Sequence, residues 1–193
     1  KKRCGNVQKD RGFVVSGLCG WMGYGAATAE SRQIVERMAG PLARFDGSSI
    51  QALAWGGSAL AVAASGDSAN LYKKEGLLVA AWGRARFMDP RLAQLAQAEG
   101  VAKALADGWR ERGETVLSIL EGAYALCILD EAAGEAVLAI DRMGTQPLSY
   151  MLSGDGLVFG SSVDAVILHP LARLEIDPQG LYNYLYFHMV PGP

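Results

Sequence analysis

Apolar positions fall in short runs punctuated by glycine and polar residues, and their period changes along the chain. Val14, Val15 and Leu18 run into Cys19-Gly20-Trp21-Met22, a glycine-rich apolar stretch that reads as a buried strand opening into a tight turn. Residues 29–39 place Ile34, Val35 and Met38 on one face and Glu30, Arg32, Glu36 and Arg37 elsewhere, the pattern of an amphipathic helix. Gly40-Pro41 ends it. Ile50–Trp55, Ala59–Ala64 and Leu77–Trp82 are apolar runs bounded by Gly, Ser or Asp and predict strands, with turns at Gly56-Gly57 and Gly66-Asp67. Residues 89–112, rich in Ala, Leu, Gln, Lys and Arg, predict two helices broken near Gly100, and Glu114–Leu120 a further short one.

The remainder returns to strands. Ala123–Leu129, Ala136–Ile140, Pro147–Leu152 and Leu157–Phe159 are apolar, with turns at Asp130–Gly134, Asp141–Gly144 and Ser153–Gly156. Val163–His169 predicts a helix stopped before Pro170. Asp177-Pro178 opens a last helix, Asp as N-cap and Pro at the first position. Strands, helices, strands and helices in blocks predict an α+β layered domain, not an alternating βαβ one.

Composition narrows the class. The 193 residues suit one domain, with residues 1–15 as a polar leader or flexible arm and 16–193 as the domain. Half the residues are hydrophobic, a fifth are charged, and the net charge is −2. Without a basic patch there is no case for nucleic acid, and no apolar run is long enough for a membrane span. Cys4, Cys19 and Cys127 have no paired spacing, so the expectation is a reducing cytoplasm. Two histidines, His169 and His188, and no Cys-x-x-Cys pair give no metal site; both histidines are expected at helix ends, at the surface or capping. Asp141-Arg142, between an apolar strand and Gly144, reads as a partly buried ion pair that fixes a turn.

Six segments then occur in one order: Gly122-Ala-Tyr-Ala-Leu-Cys-Ile-Leu-Asp130, Ala139-Ile-Asp-Arg-Met-Gly-Thr-Gln-Pro-Leu-Ser-Tyr150, Phe159-Gly-Ser-Ser162, Leu174-Glu-Ile-Asp-Pro178, Tyr184-Leu-Tyr-Phe187 and Val190-Pro-Gly-Pro193. Together they resemble asparagine synthetases, over the amino-terminal class II glutamine amidotransferase domain of that family. Cys19-Gly20-Trp21 resembles the family's opening Cys-Gly-aliphatic. The resemblance implies the four-layer αββα sandwich of the N-terminal nucleophile hydrolases. It also implies a carboxy-terminal synthetase domain as partner, absent from this chain, and that domain would hold ATP and magnesium. No cofactor is expected in the domain itself.

The chemistry that the resemblance implies is demanding. A cysteine thiolate attacks the glutamine amide, its own free α-amino group acts as base, and two donors hold the oxyanion. In the family those donors come from an Asn-Gly-Glu motif. Here Leu77-Leu-Val-Ala-Ala-Trp-Gly-Arg84 takes its place: Gly83 matches, Trp82 replaces Asn and Arg84 replaces Glu. Eighteen residues precede Cys19, the candidate nucleophile. Gly57–Val62 stands where the family has an arginine strand and contains no Arg, and no Asp lies between Arg91 and Ala106. Trp55 and Trp82 are expected to fill an emptied glutamine pocket.

The first reading is therefore a pseudo-glutaminase domain, the structural partner of an amide-forming ligase domain. The second is an active amidotransferase that hydrolyses glutamine with Cys19 after a leader is removed. The third is a non-catalytic module that binds a ligand or protein in a cleft lined by Trp55, Trp82 and Gly83. A homodimer is compatible with each.

Overall fold

Strand β3 (Ser58–Ala64) is buried at every position, so it faces a packed layer on both sides. Its alternate residues sort cleanly. Leu60 and Val62 lie in one apolar cluster, Ala59, Ala61 and Ala63 in another. The same division runs through β1 (Gly17–Met22), where Leu18 packs on one side and Cys19 and Trp21 on the other. A period of two puts neighbouring residues on opposite faces of a sheet.

In the computed structural model the described residues are 16–25, 28–44, 49–64, 69–175 and 177–189. The expected leader over 1–15, Cys4 within it, and the turn at Gly66-Asp67 lie outside them. Helix α1 (Thr28–Ala39) covers one face of a five-stranded antiparallel sheet made of β1, β2 (Ser49–Trp55), β3, β10 (Ser149–Ser153) and β11 (Gly156–Gly160), in the order β10-β11-β1-β3-β2. A second antiparallel sheet of β4 (Ala69–Lys74), β5 (Leu77–Gly83), β8 (Tyr124–Asp130) and β9 (Glu135–Ile140) packs beneath it, in the order β4-β5-β8-β9. Helices α2 (Pro90–Glu99) and α3 (Val101–Arg112) cover the far face.

Three apolar layers thus separate four structural ones, the αββα sandwich that the resemblance implied. Val35 and Met38 of α1 pack on Cys19, Trp21 and the alanines of β3. Leu18, Leu60, Val62, Leu78, Ala80, Cys127, Leu129 and Phe159 fill the space between the sheets. Val79, Leu126 and Ile128 meet Leu92 and Leu105 of the far helices. Gly20 is required by close approach, since a Cβ there would sit 2.3 Å from the Ala59 carbonyl oxygen.

The helix starts follow capping chemistry. Asp89 accepts from Arg91 N and Leu92 N with Pro90 in the first turn, and Asp177 caps α5 (Pro178–Phe187) in the same way. The segment after α3 is a 3₁₀ helix over Gly113–Ile119. Strand β10 begins at Ser149, two residues past Pro147, which has no N–H for a ladder. The Val163–His169 helix is shorter than expected: α4 (Val163–Val166) is one turn, and tight turns carry the chain to His169.

Two features escape the sequence pattern. Strand β4 reads ANLYKK, an edge strand paired only with β5 and therefore free to be polar. β6 (Arg86–Phe87) and β7 (Leu120–Glu121) form a two-residue ribbon, too short to leave a period. No helix among the described residues is long and apolar enough to cross a membrane.

Candidate functional site

The carboxy end of β5 and the residue ahead of β1 meet between the sheets. Trp82 donates its indole N–H to Ser16 Oγ at 2.8 Å, and its ring packs against the layer between the sheets. Gly83, next in the strand, has φ +100°, and a Cβ there would lie 2.5 Å from the Ala123 carbonyl oxygen. Arg84 N donates to that same oxygen at 2.7 Å. Gly122 mirrors this arrangement with φ +102° and its Cβ position 2.2 Å from the Arg84 carbonyl oxygen. Two glycines in the left-handed region therefore let segments 83–85 and 122–124 cross in contact. The Arg84 side chain is exposed.

Cys19 is elsewhere. It sits mid-strand, registered between Gly160 and Ala61, with no solvent-exposed surface. Its thiol points to α1 and donates to the Val35 carbonyl oxygen at 3.9 Å. Burial pushes the thiol far above its ordinary pKa, which leaves it protonated and unreactive. So the structure brings Trp82 together with Ser16, not with Cys19. Ser16-Gly17-Leu18 carries a Gly-aliphatic tail three residues ahead of Cys19-Gly20-Trp21, whose third residue is aromatic. An odd shift moves a residue to the opposite sheet face. That Gly-aliphatic tail is the signal that could have pointed to Ser16.

Trp55 does not share the site. It is 45% exposed at the end of β2, with Lys73 Nζ 3.8 Å above its ring. The cleft expected between Trp55, Trp82 and Gly83 is thus not formed by these residues. A cavity of about 560 Å³ lies instead on the far-helix side, beside the β6–β7 ribbon, and neither tryptophan lines it. Cys127 is fully buried in β8, a core residue as expected.

The Asp141-Arg142 expectation needs correcting. Asp141 is buried, but its partners are not Arg142. The carboxylate accepts from Thr145 Oγ1 at 2.7 Å and from the N–H groups of Met143, Thr145 and Gln146 at 3.0, 3.2 and 3.1 Å. These hydrogen bonds, that from Thr145 Oγ1 foremost, hold its pKa down to about 2. Arg142 turns outward, because four local donors already satisfy the carboxylate.

His188 caps α5 in the left-handed conformation (φ 57°), its N–H donating to Tyr184 O, and so fits the helix-end expectation. His169 does not. It is 2% exposed and wedged against Trp21 and Tyr24, ring centroids 4.8 and 5.0 Å away. Its Nδ1 accepts from Leu171 N at 3.2 Å, and burial, aided by the Arg37 charge, lowers its pKa to about 4. A helix-end position does not by itself mean exposure, because the turns after α4 fold the ring back under the sheet.

Comparison with known proteins ties this geometry to relatives. Residues 93–193 match a family described as "Glutamine amidotransferase domain". Over 79 residues, 41% of the chain, it is 30% identical to asparagine synthetase [glutamine-hydrolyzing] 3 of Bacillus subtilis (strain 168), and the match covers 13% of that protein. Among solved structures, glutamine phosphoribosylpyrophosphate amidotransferase from B. subtilis, complexed with ADP and GMP, aligns with a TM-score of 0.53 at 18% identity. That alignment covers 77% of this chain and 42% of the other, so the chain spans less than half of either relative. The family match starts within α2. Ser16, Cys19, Trp82, Gly83 and Arg84 all stand ahead of it.

Proposed function

The chain belongs to the glutamine amidotransferase domain family, of the asparagine-synthetase type, and on that premise we propose that it no longer hydrolyses glutamine and serves as the structural partner of an ATP-dependent, amide-forming synthetase domain. One observation carries the reading: Cys19 is sealed under α1 while Trp82 is hydrogen-bonded to Ser16 between the sheets. A nucleophile must reach the amide carbon as a thiolate. Cys19 has neither access nor a depressed pKa. Trp82, in place of the family's Asn, offers no amide donor for an oxyanion, and loss of one such donor costs about 10²–10³ in rate. Arg84 puts a cation where the family's Glu would meet the ammonium of glutamine.

Helix α5 supports the docking half of the proposal. None of its residues is buried, and Leu181, Tyr182, Tyr184, Leu185, Tyr186 and Phe187 are all exposed. A contiguous apolar surface of this kind marks a protein contact. ATP and magnesium belong to the synthetase domain under this reading.

The Trp82–Ser16 hydrogen bond favours a second reading. If the chain were cut before Ser16, its hydroxyl would sit beside its own α-amino group and the Trp82 indole, an N-terminal nucleophile with serine in place of cysteine.

Glutamate release from glutamine, measured with the intact mass of the same sample, tests both. The first reading expects no release at any mass. Release abolished by Ser16→Ala, from a chain that begins at Ser16, establishes the second. Release abolished by Cys19→Ala overturns both.

A further inference from the structure

We propose that the cavity beside the β6–β7 ribbon binds a small zwitterion, an amino acid with an apolar side chain. The cavity measures about 560 Å³, within the usual range for small-molecule sites. Its polar groups divide by charge and by segment. Ser118 comes from the 3₁₀ helix, Glu121 from β7, and Arg142 from the turn after β9. The Ser118 hydroxyl spends its hydrogen on the Thr115 carbonyl oxygen at 2.7 Å, so it presents only lone pairs to the cavity. The lining thus offers both acceptors suited to an ammonium and a guanidinium suited to a carboxylate.

Neither charge is used by the fold. Among the described residues the side chains of Glu121 and Arg142 make no ion pair or hydrogen bond, and Arg86, opposite Glu121 in the ribbon, makes no ion pair with it. Arg142 is turned out of its own loop because Asp141 is satisfied by backbone and Thr145 donors. Tyr124 also lines the cavity and is buried. Leu120 and Ile140 supply the apolar part of the lining. A ligand with an ammonium, a carboxylate and a short apolar stem meets all of these groups at once. An apolar ligand would leave both charges unused.

None of Ser16, Cys19, Trp82 or Gly83 lines the cavity; it borders their site only through Gly122 and Tyr124, of the segment that crosses 83–85. Isothermal titration of the full chain with L-leucine and L-methionine tests the proposal. We expect saturable binding of both. 4-Methylpentanoate and isoamylamine, each retaining one charge of leucine, should bind at least tenfold more weakly. Arg142→Gln should weaken L-leucine at least tenfold and leave isoamylamine unchanged; Glu121→Gln should weaken L-leucine and leave 4-methylpentanoate unchanged. Both side chains are exposed, so an unchanged thermal midpoint checks that each variant folds. Absence of binding by both amino acids, or binding indifferent to both substitutions, overturns the proposal. So does binding that survives Arg142→Gln and is lost in Trp82→Phe, because the ligand would then occupy the Ser16 end. None of these outcomes bears on glutamate release, so this inference and the function proposed above fail independently.

Discussion

Cys19, on β1, and Trp82, on β5 of the other sheet, lie on opposite sides of the sheet that holds β1: the thiol belongs to the layer under α1, the indole to the layer between the sheets. A strand cannot bring both to one reaction centre without slipping its register by one residue. That slip would also move Leu18 out of the inter-sheet core and Trp21 into it.

The first prediction follows from that separation. In a Cys4→Ser background, a disulfide thiol reagent added to the native chain should label neither Cys19 nor Cys127 over hours. Both should react on addition of denaturant. Cys19→Ala should cost only about 1–2 kcal/mol in urea unfolding, the size expected for a small buried group. Rapid labelling of Cys19 in the native chain would place the thiol at the surface and contradict the structure.

Gly83 and Gly122 give the second. Each has a positive φ, and each would aim a Cβ at a carbonyl oxygen closer than 3 Å. Backbone strain of about 1–3 kcal/mol adds to the clash, so Gly83→Ala and Gly122→Ala should each lose about 3 kcal/mol or more. Gly134→Ala is the control. Its φ is +70°, but open space surrounds it, so it should lose only the strain. Urea midpoints of the three variants decide the order.

The third concerns acid. The His169 pKa falls from 6.5 unfolded to about 4 folded, so the unfolded chain binds more protons between those values. The stability this ring contributes is complete above pH 6.5 and is lost as pH falls toward 4. Asp141 shifts from 3.8 to about 2, so its contribution is complete above 3.8 and lost as pH falls toward 2. Urea midpoints of the wild-type chain should decline in two windows. His169→Phe should flatten the upper one, and Asp141→Asn the lower one while lowering the midpoint at pH 7. A wild-type midpoint constant from pH 7 to 4 would refute the His169 assignment.

The layered fold was legible because β3, β5 and β8 are apolar but for a terminal residue and the flanking helices are amphipathic. The sequence pattern could not reveal β4, whose edge position permits Lys73 and Lys74 in a strand. The site was harder. The Trp-Gly-Arg segment is legible from its place in the strand, whereas by sequence the nucleophile-like position falls on Cys19, which is followed by Gly20 and the aromatic Trp21. Which face of β1 that cysteine occupies depends on strand pairing with Gly160 and Ala61, more than forty residues distant in either case. His169 was misjudged for a similar reason, since Trp21 and Tyr24, which cover it, lie at the other end of the sequence.

The last prediction is that repairing the Asn-Gly-Glu motif alone restores nothing. Trp82→Asn with Arg84→Glu rebuilds the family's oxyanion donor and ammonium contact, and the exposed Arg84 position should tolerate the change. Removing the indole also breaks its hydrogen bond to Ser16, worth about 1 kcal/mol, and opens space between the sheets. Yet the thiol of Cys19 would still lie under α1, hydrogen-bonded to Val35 and protonated. Glutamine should therefore bind the double variant more tightly than the wild-type chain in an equilibrium titration, without glutamate release. Release that requires Cys19 would show that β1 can shift register in solution. Release that requires Ser16 would instead show that the residue bonded to Trp82 is the nucleophile, held idle by the indole that covers it.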